Sequence, residues 1–116
     1  MRLLVVNFHY IREDKPANGI YPLSLKEFEN QVDEIAKHYE FISEKQLIKF
    51  IHSGSIDNKN YCLLTFDDGL KEQMNAFHLL LSKGIPAMFY ISTEPIRNHT
   101  VLNVHKLHYI RSIVDD

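Results

Sequence analysis

The chain has 116 residues, enough for one domain at most and for a core that needs neither disulfides nor metal as staples. A hydrophobic share of 45% beside 24% charged residues fits an ordinary globular protein, and a formal charge of -2 offers nucleic acid no basic face. The single cysteine, Cys62, excludes an internal disulfide and a multi-cysteine zinc cluster. No apolar run reaches membrane-spanning length and Leu3–Val6 is too short for a signal peptide, so the expected location is the cytoplasm.

In chain order, "LLVVNFHY" (3–10) reads as a first strand, its continuous apolar start typical of a strand covered on both faces. "IREDKPANGIYP" (11–22) is a loop broken by Pro16, Asn18-Gly19 and Pro22. Ser24 opens a helix: Glu27 completes a capping box, Leu23 can staple to Phe28, and Leu25, Phe28, Val32, Ile35, Ala36 and Tyr39 follow at helical spacing. Ser43 and Gln46 repeat the device for a second helix, with Ile42 and Leu47 as staple, Leu47, Ile48, Phe50 and Ile51 as its buried face and Gly54 as a left-handed stop.

"YCLLTF" (61–66) is the second strand, and it holds Cys62 as a buried, inert thiol. A third helix follows over "LKEQMNAFHLLLSKG", burying Leu70, Met74, Phe77, Leu80 and Leu81 and ending at Gly84. "PAMFYIS" (86–92) is the third strand, with Pro86 at its first residue, where a missing N–H does least harm. The tail reads as a short loop and a last helix from about Leu102. The order implies an α/β fold built on a parallel sheet, about three strands with flanking helices.

In such sheets reactive groups gather at the carboxyl ends of the strands. His9 and Tyr10 stand at one such end, Asp67 and Asp68 at another. Two readings of the aspartates stand side by side. As caps, they would satisfy the amides of the third helix and contribute about 0.5–2 kcal/mol, with Gly69 relaxing the turn. As a reactive pair, one would ligate a divalent cation while the other takes a proton from a bound water, which explains why two like charges adjoin. His9 can line the same pocket as a positioning residue, whereas His38, His52 and His78 read as helix-surface positions. His105, Leu107, His108 and Ile110 read as an amphipathic helix with its histidines at a partly wet margin.

"LLTFDDGL" resembles the first motif of the polysaccharide deacetylases, carbohydrate esterase family 4. "NFHYIRE" resembles the family's first strand and "LLLSKGIPAMFYIS" its helix-to-strand passage. The resemblance implies a deacetylase-like, parallel-stranded partial (β/α) barrel. It implies Asp67 as general base and Asp68 as ligand of a divalent metal, zinc above all; His9 and Tyr10, by their place at the end of the first strand, read as substrate-binding or positioning residues. The reaction implied is hydrolysis of N-acetyl groups from amino sugars, so the partner implied is an N-acetylated sugar or glycan.

The family's second motif, two histidines that complete the metal site, has only imperfect counterparts. Asn103 stands where a second histidine would follow His99-Thr100, and "VHKLH" supplies His105 and His108 three residues apart, close behind the third strand. The distal histidine and the arginine beside the base have no counterpart. Residues 1–116 therefore read as one incomplete domain, the N-terminal portion of the family, with edges that invite homo-oligomers. A non-catalytic oligomerisation or carbohydrate-binding module stands as the alternative. A divalent-cation site for phosphoryl chemistry ranks last, since no Gly-rich phosphate loop is present.

Overall fold

The computed structural model describes residues 2–54 and 57–114. The β-branched and apolar run after Met1 forms β1, Arg2–Phe8, so His9 and Tyr10 lie just past its end. Ser24 caps α1, Leu25–Ala36, its side chain accepting from the Glu27 N–H while the Glu27 carboxylate accepts from the Ser24 N–H. A two-residue strand, β2, Glu40–Phe41, comes next. Then α2, Glu44–Ser53, carries the second capping box and stops at left-handed Gly54.

After β3, Asn60–Phe66, the chain turns through the aspartates before α3, Gln73–Lys83. The last elements are β4, Ala87–Phe89, α4, Glu94–Asn98, and α5, Asn103–Ile113. β2 is too short to show a period, and α4 hides behind Pro95, which sits in its first turn, where a missing N–H is tolerated.

β3 is the axis of the sheet. β1 runs parallel to it from Arg2↔Asn60 to Phe8↔Phe66 and occupies one edge along its whole length. β2 and β4 therefore share the other edge, β2 opposite Tyr61 and Cys62 and β4 opposite Leu64, Thr65 and Phe66, both parallel. Right-handed crossovers through helices join parallel strands of this kind.

Alternation along the strands divides the side chains into two faces. Phe8, Cys62, Leu64 and Phe66 pack with Phe28 and Val32 of α1 and with Ala76 and Leu80 of α3. Phe8 meets Phe28 edge-on at 4.9 Å, and Phe66 stacks on Phe89 at 4.5 Å. Burying aromatic and aliphatic side chains of this size contributes about 1.5–3 kcal/mol each, which makes this face the centre of stability. Cys62 is fully buried there, and burial pushes its thiol up to about 11, so it is inert at neutral pH.

The other face carries Leu3, Val5 and Asn7 of β1 opposite Tyr61, Leu63 and Thr65 of β3. Leu3 and Val5 remain 40% and 53% exposed, and Phe50 of α2 closes on the Tyr61 ring at 5.1 Å. The result is a small parallel sheet with flanking helices, buried on both faces at β3 and open on this face at the β1 edge, as a partial barrel would be.

β1 is not covered on both faces as its apolar run suggests, since Leu3 and Val5 stay exposed at the sheet edge, and three helix faces also differ from the sequence expectation. In α2 no residue is buried, and Ile48 and Ile51 are exposed while Leu47 and Phe50 are half-buried. In α3 the buried residues are Gln73, Ala76 and Leu80, while Met74, Phe77 and Leu81 lie on the neighbouring stripe and stay exposed. Both α3 stripes have helical spacing, so periodicity alone could not choose between them.

In α5 the expected polarity is reversed. His105 and His108 face the protein, while Leu107 and Ile110 are 56% and 53% exposed. The helix docks through polar groups because what it meets is the polar end of the sheet.

Candidate functional site at the carboxyl end of the sheet

Asp67 extends the alternation of Tyr61, Leu63 and Thr65, so its side chain joins the open face beside Asn7. The Asn7 side-chain amide donates to Asp67 Oδ2 at 2.8 Å, and its carbonyl accepts from Thr65 Oγ1 at 3.1 Å. This chain of bonds fixes which way the Asn7 amide points and aims an N–H at the carboxylate. His9 Nε2 lies 3.7 Å from the same oxygen, an electrostatic neighbour rather than a hydrogen-bond partner.

The backbone beneath Asp67 is clamped. Its N–H donates to the Phe8 carbonyl at 3.2 Å. The buried Gln73 side chain, 2% exposed, donates from Nε2 to the Asp67 carbonyl at 2.7 Å and to the His9 carbonyl at 2.9 Å. Gln73 thus ties the ends of β1 and β3 together from the first residue of α3. Neither Gln73 nor Asn7 stood out in the sequence. The signal available was weak: Gln73 sits at a helix start beside Lys71, Glu72 and Asn75, and only its helical spacing to Ala76 and Leu80 puts it on a buried stripe.

Asp68 leaves the sheet in the left-handed region at φ 74, and Gly69 follows at φ 63. Aspartate tolerates that region better than most side chains. Glycine suits the conformation at Gly69, and a Cβ there would press on the Ile91 side chain at 3.0 Å. The turn delivers Asp68 Oδ2 to within 3.5 Å of His105 Nε2.

Neither aspartate caps α3: the helix has Glu72 at its cap position and no side-chain cap bond. The capping explanation of the pair therefore fails.

α5 closes this corner. The Tyr10 hydroxyl lies 2.7 Å from His105 Nδ1 and 2.9 Å from His108 Nδ1. Burial, with Asp68 and Glu72 nearby, raises the Tyr10 phenol above its ordinary value, so it stays protonated. The Glu72 carboxyl is also raised, by burial first, against the opposing pull of Arg12 at 3.7 Å. His105, 13% exposed at its side chain, is therefore an inward group, contrary to the wet-margin expectation. His99 ends α4 at φ 50, and His38, His52 and His78 are exposed as expected.

As donors for a divalent metal, Asp68 Oδ2 and His105 Nε2 converge, and His105 Nε2 is buried without a hydrogen-bond partner. Among the described residues no group of three His, Cys, Asp or Glu side chains could hold a metal ion. The chemistry of the pair suits zinc, yet it supplies two donors where zinc sites usually take three from protein. An open apolar groove of about 340 Å³ begins at Gly69 and is lined by Leu70, Met74, Phe77, Phe89 and Ile91, with neither aspartate among its lining residues. No described helix is long and apolar enough to cross a membrane.

No protein-family profile and no curated protein matches the chain. Solved structures do. The deacetylase PplD of Streptococcus pyogenes superposes with a TM-score of 0.72 at 18% identity, over 92% of this chain and 53% of that one. A de-N-acetylase from Aggregatibacter actinomycetemcomitans gives 0.65 at 22% identity, over 77% and 37%. BA0330 of Bacillus anthracis, a protein assigned to the polysaccharide deacetylases, gives 0.60 at 27% identity, over 88% and 33%. The chain spans about a third to a half of the length of these structures. Its fold is that of the N-terminal portion of a polysaccharide deacetylase.

Proposed function

We propose that the chain is the N-terminal portion of a metal-dependent deacetylase that hydrolyses N-acetyl groups from amino sugars in a glycan or glycan precursor. Asp67 is the general base, Asp68 a ligand of the divalent metal, zinc above all, and His9 and Tyr10 position the substrate or the site. One observation carries this reading: two adjacent carboxylates at the carboxyl end of β3 serve no cap, and each faces its own partners, Asn7 and His9 for one and His105 for the other.

When bound, the metal supplies charge that polarises the amide carbonyl and acidifies an attacking water. The chain's own residues supply orientation. The Asn7 N–H holds Asp67 Oδ2 and leaves Oδ1 for the proton, and the Gln73 clamp fixes the backbone on which Asp67 stands.

The test is acetate release from N-acetylglucosamine oligomers with zinc present and after chelation, using this chain and the full polypeptide that contains it. Release that chelation abolishes, and that Asp67→Asn reduces at least about 100-fold, supports the assignment. An active preparation that Asp67→Asn leaves unchanged refutes it.

A second reading is a non-catalytic oligomerisation or carbohydrate-binding module. It is favoured by the two-donor metal corner and by exposed Met74, Phe77, Leu81 and Ile91 beside the edge at β4. That reading expects self-association in sedimentation at tens of micromolar, surviving Asp68→Ala. A monodisperse monomer counts against it.

A further inference from the structure

We infer that Tyr90 is a sugar-stacking residue: it stands level with Asp67 on the same face of the sheet, and its ring receives the apolar face of an amino sugar whose acetamido group reaches that carboxylate. The inference deepens the deacetylase reading and rests on it for the identity of the ligand.

The register places Tyr90. β4 lies beside β3 with Thr65↔Met88 and Phe66↔Phe89. The Tyr90 N–H donates to the Phe66 carbonyl at 2.7 Å, so the ladder runs one residue past the strand. Alternation sends Phe89 to the core, where it stacks on Phe66, and sends Met88 and Tyr90 to the opposite face. The Tyr90 hydroxyl donates to Met88 Sδ at 3.8 Å, as two side chains on one face can.

The same counting on the other side of β3 brings in His9. Phe8 pairs with Phe66, the Asp67 N–H donates to the Phe8 carbonyl, and His9 Nε2 lies 3.7 Å from Asp67 Oδ2. His9, Asp67 and Tyr90 therefore form one row across the ends of β1, β3 and β4. With neighbouring strands about 4.8 Å apart, the row spans roughly 10 Å, which leaves room for a pyranose ring beside the carboxylate.

Exposure alone does not single out Tyr90, since Tyr21 and Tyr109 are more exposed still. Its placement and its lack of other commitments do. The residue is 51% exposed, and among the described residues its ring meets no other aromatic ring. A thioether is a weak acceptor, so the hydroxyl is not firmly held either. A residue kept for packing would bury its ring, as Phe89 does against Phe66.

The ligand chemistry follows from the ring. One face of a pyranose is a set of C–H bonds, apolar and weakly positive, whereas an aromatic ring is negative on its faces. Stacking the two removes apolar surface from water. A sugar held at Tyr90 directs a ring substituent along the row towards Asp67.

The chain contains no tryptophan, so Tyr90→Trp installs a single fluorescent reporter at the position in question. The tetramer of N-acetylglucosamine is titrated into the full chain up to tens of millimolar, where even weak binding saturates. Amide resonances of Asp67 and Tyr90 are expected to shift in the wild type, and the indole emission to move to the blue over the same range. Tyr90→Phe keeps the ring and should bind within about 3-fold of wild type, whereas Tyr90→Ala should bind at least about 10-fold more weakly. Should Tyr90→Ala fail to fold, the phenylalanine and tryptophan variants decide.

Four results each overturn the inference: Tyr90→Ala at wild-type affinity, Tyr90→Phe as weak as Tyr90→Ala, indole emission unmoved while the tetramer binds, or no binding in this range. Acetate release judges the deacetylase reading separately. Release that Asp67→Asn abolishes, with Tyr90→Ala binding normally, removes the stacking role alone. Sugar bound at Tyr90 by a preparation that Asp67→Asn leaves equally active keeps the stacking role and refutes the assigned base.

Discussion

Gln73→Leu is the sharpest test of how the fold positions the aspartates. The side chain is 2% exposed, and its single NH₂ group donates to the carbonyls of His9 and Asp67 at 2.9 and 2.7 Å. Leucine fits the volume approximately but leaves both carbonyls without that donor. A buried polar group left unpaired costs roughly 1–3 kcal/mol, so the two together set a gross loss of about 2–6 kcal/mol. Against this, Gln73 Oε1 is itself buried without a partner, and removing it returns about 1–3 kcal/mol. The net expectation is a loss of about 2 kcal/mol, a large share of the roughly 5–15 kcal/mol that holds a domain together. In urea unfolding this moves the midpoint down by about 1 M at an unchanged slope. Gln73→Glu should be worse at neutral pH, because it points a carboxylate at two carbonyls, and should recover on acidification as the added acid regains a donor. A Gln73→Leu midpoint within error of wild type would show that the clamp contributes nothing, and the account of Asp67 positioning would fall with it.

Gly19→Ala should loosen α5, since a Cβ at φ 77 would lie 2.7 Å from the His108 carbonyl oxygen and 2.8 Å from Arg111. Faster amide exchange confined to α5, with β1 and β3 unchanged, is the expected result, and uniform exchange across the chain would refute it. Tyr61→Phe tests the pair in which the Tyr61 hydroxyl donates to Asp57 at 2.6 Å, a bond that lowers the Asp57 carboxyl and lifts the Tyr61 phenol to about 12. The lowered Asp57 stabilises above its ordinary pKa and loses that contribution as pH falls through its folded value. The raised Tyr61 stabilises below about pH 10 and loses its contribution as pH rises towards 12. The variant should therefore flatten the stability profile at both extremes, and a profile parallel to wild type would count against the pair. Ser24→Ala removes the α1 cap bond and should cost about 1 kcal/mol, read in the same urea titration.

Local chemistry was legible in the sequence wherever one residue's neighbours in the chain settle its structure. Ser24 with Glu27, and Ser43 with Gln46, form the expected capping boxes because cap and partner lie within one turn. The β3 run from Tyr61 to Phe66 is buried along its length, and a strand covered on both faces leaves no other option for so continuous an apolar sequence. The turn at Asp67–Asp68–Gly69 was legible as a place but not as a geometry, since nothing local says that Asp68 as well as Gly69 takes the left-handed conformation. What could not be read was orientation set by distant parts. Met74, Phe77 and Leu81 repeat as regularly as Gln73, Ala76 and Leu80, and only the packing of α3 against the sheet and α1 decides which stripe is covered. His105 could not be placed inward because the apolar residues of α5 suggested the opposite face, and no local signal says that a helix will dock on a tyrosine.

The same contrast explains how two adjacent carboxylates coexist at the end of β3. Had the strand continued, alternation would have sent Asp68 to the face of Phe66, into the aromatic core around Phe8 and Phe28, where a charge costs several kcal/mol. A left-handed residue at that point turns the chain off the sheet instead, and the following Gly69 lets it pass close to Ile91. The strain of a non-glycine left-handed residue, roughly 1–2 kcal/mol, is smaller than the cost it avoids. Asp67 stays in register and meets Asn7 and His9 on the open face, while Asp68 is delivered to His105. Adjacent in sequence, the two groups thus answer to different elements, β1 for one and α5 for the other. A base and a cation ligand require that separation of roles, whereas a pair of helix caps would have turned both carboxylates toward the amides of α3.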